Sequence, residues 1–289
     1  MRIAVIGATG QLGTELCNRI GEAAVPLGHA EVELTSAESI HAALSQLDVT
    51  AVINAAAYNL VDKAEDEPEV AYAVNALGPR QLARYCESRG VPFVHISSDF
   101  VFGLDAERST PYRENDAPGP QSAYAVSKLA GECFVRGNCR RHFVLRTCGL
   151  FGPTRELGRG NFVETMIRLA KERGELKVVS DQRCTPTSTR DLAIAIIKLL
   201  ETEEYGLYHA TNSGSTTWHG FATEIVKVAG LKVPVHAISS LDFAAKAKRP
   251  SYSVLDCQKL TSAAGFAFPS WQEALADYVT DRQFRIAKP

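Results

Sequence analysis

The tightest constraint on the fold lies in the first twenty residues. Arg2-Ile3-Ala4-Val5-Ile6 is a short apolar run and reads as a buried parallel strand. It runs straight into Gly7-Ala8-Thr9-Gly10-Gln11-Leu12-Gly13, followed by helical sequence through Glu15 to Ile20. Strand, glycine loop and helix in that order form the context of a dinucleotide fingerprint. Glycine permits the tight turn and lets backbone approach a pyrophosphate, which would rest on the helix N-terminus. Gly7, Gly10, Gln11, Leu12 and Gly13 are therefore expected to bind cofactor. The spacing is G-x-x-G-x-x-G, which differs from the commoner G-x-G-x-x-G of dehydrogenases.

The alternation continues. Ala24-Val25-Pro26-Leu27 reads as a second strand, ending at Gly28-His29. That end offers neither a carboxylate to repel a 2′-phosphate nor an arginine to hold one, so NADH and NADPH both stay open. Glu33 and Leu34 begin the segment expected under the adenine. Ala51 to Asn54 reads as a strand that closes on Ala55, Ala56 and Ala57, small side chains that leave room for a cofactor. Asp62-Lys63-Ala64-Glu65 has the pattern of a capping box, with Asp62 as the cap. The helix it opens should run to about Glu87, bent at Pro68. Pro92 to Ile96 is a further strand, whose exit reads Ser97-Ser98-Asp99-Phe100-Val101-Phe102-Gly103. Residues 103–121 read as a loop over a site, Ser122 to Arg136 as a helix and Phe143 to Thr147 as a strand. Strands alternating with helices predict an α/β fold, a Rossmann-type doubly wound parallel sheet.

After Gly152-Pro153 the character changes. Helices are expected over Asn161 to Arg173, Asp191 to Glu201, Phe221 to Ala229 and Trp271 to Phe284. An irregular stretch is expected from Val178 to Thr187 and a short strand from Tyr205 to Ala210. The predicted division is residues 1–149 plus about 188–212 for a dinucleotide-binding domain. About 150–187 and 213–289 would form a smaller, discontinuous substrate-binding domain.

Composition narrows the function class. The 289 residues are 45% apolar and 22% charged, with a formal net charge of −2. That balance gives no reason to expect nucleic acid or a membrane surface as partner, and no apolar run approaches a bilayer span. The N-terminal strand leaves no room for a signal peptide. Seven unpaired cysteines then fit a reducing cytoplasm. The seven histidines show no metal spacing, so no metal site is expected.

Chemistry concentrates in Tyr124-Ala125-Val126-Ser127-Lys128. Residues four apart share one helix face. A tyrosine titrates near pH 10 unperturbed, and an ammonium nearby should lower that value. The pair could then trade a proton with a substrate oxygen at neutral pH. A hydroxyl at the exit of the preceding strand would hydrogen-bond the reacting carbonyl.

The glycine loop and the Tyr-x-x-x-Lys pair resemble the short-chain dehydrogenase/reductase superfamily. A longer set of matches is similar to the dTDP-4-dehydrorhamnose reductase family, an extended branch of it. They include Asn54-Ala55-Ala56-Ala57, Val61 to Glu65, Ser97 to Phe102, Pro111 to Asp116 and Tyr124 to Glu132. Leu145-Arg146-Thr147, Asn161-Phe162, Asp181-Gln182, Pro186-Thr187, Gly206 to His209, Thr217-Trp218, Arg249-Pro250 and Leu255-Asp256 follow. The resemblance implies catalytic roles for Ser98, Tyr124 and Lys128. It implies cofactor contacts from Gly10 to Gly13, Ala55 to Ala57, Tyr124 and Lys128, and a substrate side of Ser98, Asp99, Tyr124, Asn161 and Arg249. The implied reaction is NADPH- or NADH-dependent reduction of the 4-keto group of a dTDP-deoxysugar, in a chain that can form a homodimer. Two other roles share the same motifs: a nucleotide-sugar epimerase and the regulatory subunit of methionine adenosyltransferase. The sequence departs from the family pattern at Cys148-Gly149, where Gly149 replaces a tryptophan expected against the sugar. It departs also at Cys184, Ala125, Phe100 and Tyr58-Asn59.

Overall fold

Six parallel strands form the central sheet of the structure, a computed structural model that describes residues 2–153 and 160–287. Met1, 154–159 and 288–289, included in the expected domain ranges, lie outside the described residues. The strands are β1 (Ile3–Ile6), β2 (Ala24–Leu27), β3 (Ala51–Asn54), β4 (Phe93–Ser98), β5 (His142–Thr147) and β6 (Gly206–His209). Their order is β6-β5-β4-β3-β1-β2, parallel throughout. β1 and β3 are buried on both faces, as the unbroken apolar runs require. Side chains alternate between two cores. Ile3, Val5, Ile53 and Leu145 join Leu192 and Ile196 on one face. Ala4, Ile6, Val52 and Val144 join Leu82 and Val135 on the other.

Helices α1 (Gln11–Ile20), α2 (Ala37–Ser45), α3 (Gly78–Arg89), α4 (Ala123–Asn138) and α6 (Thr189–Leu200) flank the two faces, while α5 (Phe162–Arg173), α7 (Trp218–Val228) and α8 (Trp271–Ala287) pack apart from the sheet. Strand order turns where β1 lies between β2 and β3, so a crevice opens at their carboxyl ends, the place where open α/β sheets bind ligands. A third core joins α5, α7 and α8 around Phe151, Ile167, Phe221 and Leu275. It is edged by a parallel pair, Leu176–Val179 with Val235–Ile238. Among the described residues no helix is long and apolar enough to cross a membrane.

Three expectations are corrected. The helix expected from Asp62 is broken into a 3-10 turn at Lys63–Glu65, a short helix at Pro68–Tyr72, a π turn at Ala73–Leu77, and only then α3. Buried Asn75 occupies the π turn. It accepts from the Tyr58 N–H at 2.9 Å and donates to the Ser127 hydroxyl at 3.0 Å, so the turn is held by tertiary contacts that no local pattern encodes. Asp62 is no cap: its carboxylate makes no capping bond and takes both Nη atoms of Arg249, at 3.0 and 2.7 Å. The stretch expected to be irregular from Val178 to Thr187 holds the end of one strand and two short ones, Arg183–Cys184 and Thr187–Ser188.

Candidate active site

A cavity of about 770 Å³ opens over the carboxyl ends of the central strands. One side is the glycine loop, from Thr9 to Leu12, facing Ala55, Ala56 and Ala57 at the end of β3. Gly7 and Gly13 shape this side from behind. Gly7 has φ +79°, and a Cβ there would stand 2.7 Å from the Ala56 nitrogen. A Cβ on Gly13 would stand 2.1 Å from the Gly7 carbonyl oxygen. Only glycine lets the loop, the start of α1 and the end of β3 come this close. Gly10 is the residue before α1, and it gives the helix N-terminus no side-chain cap. A glycine cradle, an uncapped helix N-terminus and an alanine floor fit a dinucleotide.

Glu33 and Leu34 are not brought to this cavity. Leu34 is buried in the core under α3, and half-buried Glu33 accepts from the Thr35 hydroxyl at 2.7 Å. The expectation that the end of β2 lacks a carboxylate is also corrected. Glu31 folds back, and its Oε2 accepts the Gly28 N–H at 2.7 Å beside Thr9. That contact depends on a turn which a strand-by-strand reading does not reveal.

Tyr124 and Lys128 project from the first turns of α4 into the same cavity as Ser98, at the end of β4. Ser122 caps this helix by accepting from the Ala125 N–H at 3.3 Å, which fixes where the tyrosine emerges. The Tyr124 ring meets Phe100 edge-on at 5.9 Å, and its hydroxyl donates to Asn59 Oδ1 over a long 3.5 Å. The lysine Nζ donates to the Ile96 carbonyl at 2.6 Å. The expected lowering of the tyrosine pKa is not found. Burial pushes the phenol well above its ordinary value, the Asp99 carboxylate and Cys148 push the same way, and the Ser98 hydroxyl pulls part of the way back. Lys128 does not figure among the groups acting on the phenol. Burial instead brings its own pKa down to about 8, against the pull of Glu132. Resting Tyr124 is thus a protonated phenol, with a proton to give.

A buried ionic network backs this constellation. Glu132, on the next turn after Lys128, accepts from Arg146 Nε and Nη2 at 2.8 and 2.7 Å and from the Ser97 hydroxyl at 2.5 Å. Neither charged side chain is more than 2% exposed. Asp99 lines the cavity, but its carboxylate is held by the hydroxyls of Ser98 and Ser253. Burial raises its pKa to about 6.

Two residues expected on the substrate side are engaged elsewhere. Asn161 caps α5, accepting from the Glu164 N–H at 2.9 Å, and donates to Gln11 Oε1 at 3.1 Å and the Gly152 carbonyl at 2.9 Å. Arg249 is paired with Asp62. Neither lines the cavity. Asn59, Thr147, Cys148, Gly149, Leu150 and Trp218 do, without having been singled out as site residues. The signal available for Asn59, Cys148 and Gly149 was their departure from the family pattern. Among the described residues no group of three or more His, Cys, Asp or Glu side chains is placed to hold a metal ion.

Comparison with known proteins agrees with this geometry. The RmlD substrate binding domain family matches residues 1–284. The spore coat polysaccharide biosynthesis protein SpsK of Bacillus subtilis is 36% identical over 284 residues, covering 97% of this chain and 98% of its own. A dTDP-4-dehydrorhamnose reductase of Streptomyces griseus is 37% identical over 286 residues, covering 96% and 92%. The crystal structure of dTDP-4-dehydrorhamnose reductase from Bacillus anthracis in complex with NADP superposes with a TM-score of 0.92 at 37% identity, over 97% of this chain and 99% of that one. With fold, cavity and whole-length likeness in agreement, the chain belongs to the dTDP-4-dehydrorhamnose reductase family of extended short-chain dehydrogenases/reductases.

Proposed function

We propose that this chain reduces the 4-keto group of a nucleotide-activated deoxysugar, dTDP-4-dehydrorhamnose in the first instance, with NADPH or NADH as reductant. The observation that carries the reading is one cavity lined both by the glycine loop with its alanine floor and by Ser98, Tyr124 and Lys128. A reduced nicotinamide supplies the hydride when bound. Tyr124 delivers a proton from Oη to the ketone oxygen, and Ser98 Oγ donates a hydrogen bond to that oxygen as charge develops on it. Lys128 spends one donor on the Ile96 carbonyl and keeps the rest for a cofactor hydroxyl and for the phenolate as it forms. Any hydrogen bond it gives the phenolate lowers the tyrosine pKa in the loaded site and offsets part of what burial adds. The smaller lobe of α5, α7 and α8 is the substrate half of the site. The free cysteines suit a reducing cytoplasm, and a homodimer is the assembly we expect there.

A panel of 4-keto-deoxysugar nucleotides, each offered with both reduced nicotinamides, tests the reading. The expected result is turnover of the dTDP-4-keto sugar with one reduced nicotinamide lost per product. Sugar turnover without net loss of reduced nicotinamide would make the chain an epimerase. No turnover with any member of the panel would contradict the reading altogether.

A further inference from the structure

The cavity that holds Tyr124 is also lined by an indole. Trp218 is the first residue of α7, held there by Thr217, whose hydroxyl accepts the Gly220 N–H at 3.1 Å. The indole bridges two environments. One edge packs into the core of the smaller lobe, 4.8 Å from the Phe162 ring centroid. The rest is only half-buried and lines the cavity. The reason it reaches so far is Gly149, in the turn between β5 and the following short strand. This glycine has φ +52°, and a Cβ on it would stand 3.1 Å from Trp218 Cη2 and 3.4 Å from the Pro186 Cα. The missing side chain is the space the six-membered ring occupies. Trp218, Gly149, Tyr124 and Phe100 all line the cavity.

Resting on the reductase reading above, we propose that Trp218 is a sugar-binding and specificity-determining residue. Its six-membered ring would form the platform for the apolar C–H face of the deoxyhexose, with Gly149 as the gap that admits it. Three features support the assignment. A rigid aromatic face in a cleft is the usual apolar surface for a ligand whose hydroxyls are served elsewhere. The indole and the phenol line one cavity, so a sugar held there could present its carbonyl to Tyr124 and its C–H face to the indole. The glycine loop and the alanine floor, which fit the dinucleotide, lie on another side of the same cavity.

Calorimetric titration of dTDP, dTDP-rhamnose and NADPH into wild type, Trp218→Ala and Trp218→Phe tests this. The proposal expects Trp218→Ala to bind dTDP-rhamnose about tenfold or more weakly, with dTDP and NADPH affinities within about twofold of wild type. Trp218→Phe should recover part of the loss. Equal affinity for dTDP-rhamnose in wild type and Trp218→Ala would overturn it. So would equal losses for dTDP and dTDP-rhamnose, since the indole would then serve the nucleotide or the packing alone. If wild type binds neither dTDP nor dTDP-rhamnose, the reductase reading itself has failed. Should Trp218→Ala not fold, Trp271→Phe leaves Trp218 as the one tryptophan of the two in the chain. Its fluorescence should then change on adding dTDP-rhamnose and not on adding dTDP, and no change with dTDP-rhamnose would overturn the proposal.

Discussion

At the scale of single residues, the site is a set of ionisable groups held away from their ordinary pKa values by burial. Tyr124 stays protonated, Lys128 is brought to about 8, and Asp99 is raised to about 6. Asp99 makes a test of stability against pH. Its folded-state pKa lies above the ordinary 3.8, so the native chain holds a proton that the unfolded chain has released between about pH 4 and 6. Native stability from this group therefore falls as pH rises through that window, and the penalty is complete above it. Asp99→Asn cannot ionise, so it should melt at a higher temperature than wild type at pH 7. The upper bound on the gain is about 3 kcal/mol, and it should vanish near pH 4. An equal gain at both pH values would assign the effect to packing instead. The shared face of Tyr124 and Lys128 was legible in the sequence because a four-residue spacing fixes a helix face. The direction of the tyrosine shift was not, because the spacing carries no information on burial.

At the scale of elements, α4 is fastened to the sheet by charge as well as by apolar contact. Glu132 and Arg146 pair in the interior, and the guanidinium also lies over the Phe102 ring at 4.9 Å. Taking two charges out of water is tolerated only when each is fully satisfied, as both are here. Glu132→Ala would strand the Arg146 charge and should destabilise the fold by about 3–5 kcal/mol. Replacing both residues with methionine should recover most of that loss in a denaturant titration. A double variant as unstable as the single one would show that shape, and not charge, holds the helix. The strands of this sheet and its main helices were legible because period-two and unbroken apolar runs survive into a buried parallel sheet. The breaks between Asp62 and Gly78 were not. Asn75 and Tyr58 hold the π turn through contacts 17 residues apart, and local propensity does not report them.

At the scale of the whole molecule, polar struts join residues far apart in the chain. Asp62 reaches Arg249 across 187 positions, and Gln11 reaches Asn161 across 150. These pairings explain why Asn161 and Arg249, plausible substrate contacts by motif, are engaged in holding the lobes together. Long-range side-chain partners leave no periodic trace, so the sequence marked these residues as important without saying for what. The same arrangement brings the glycine loop, the alanine floor and the phenol to one cavity, and the central claim is that reduction of a sugar ketone happens there. The direct test uses a reduced nicotinamide carrying deuterium at the transferable position, with wild type and Tyr124→Phe followed by product NMR. The account predicts one deuterium at C4 of each product sugar. It also predicts a transfer rate at least about 100-fold lower in Tyr124→Phe, at unchanged cofactor affinity. An unlabelled product, or a Tyr124→Phe protein that transfers deuterium at the wild-type rate, would contradict it.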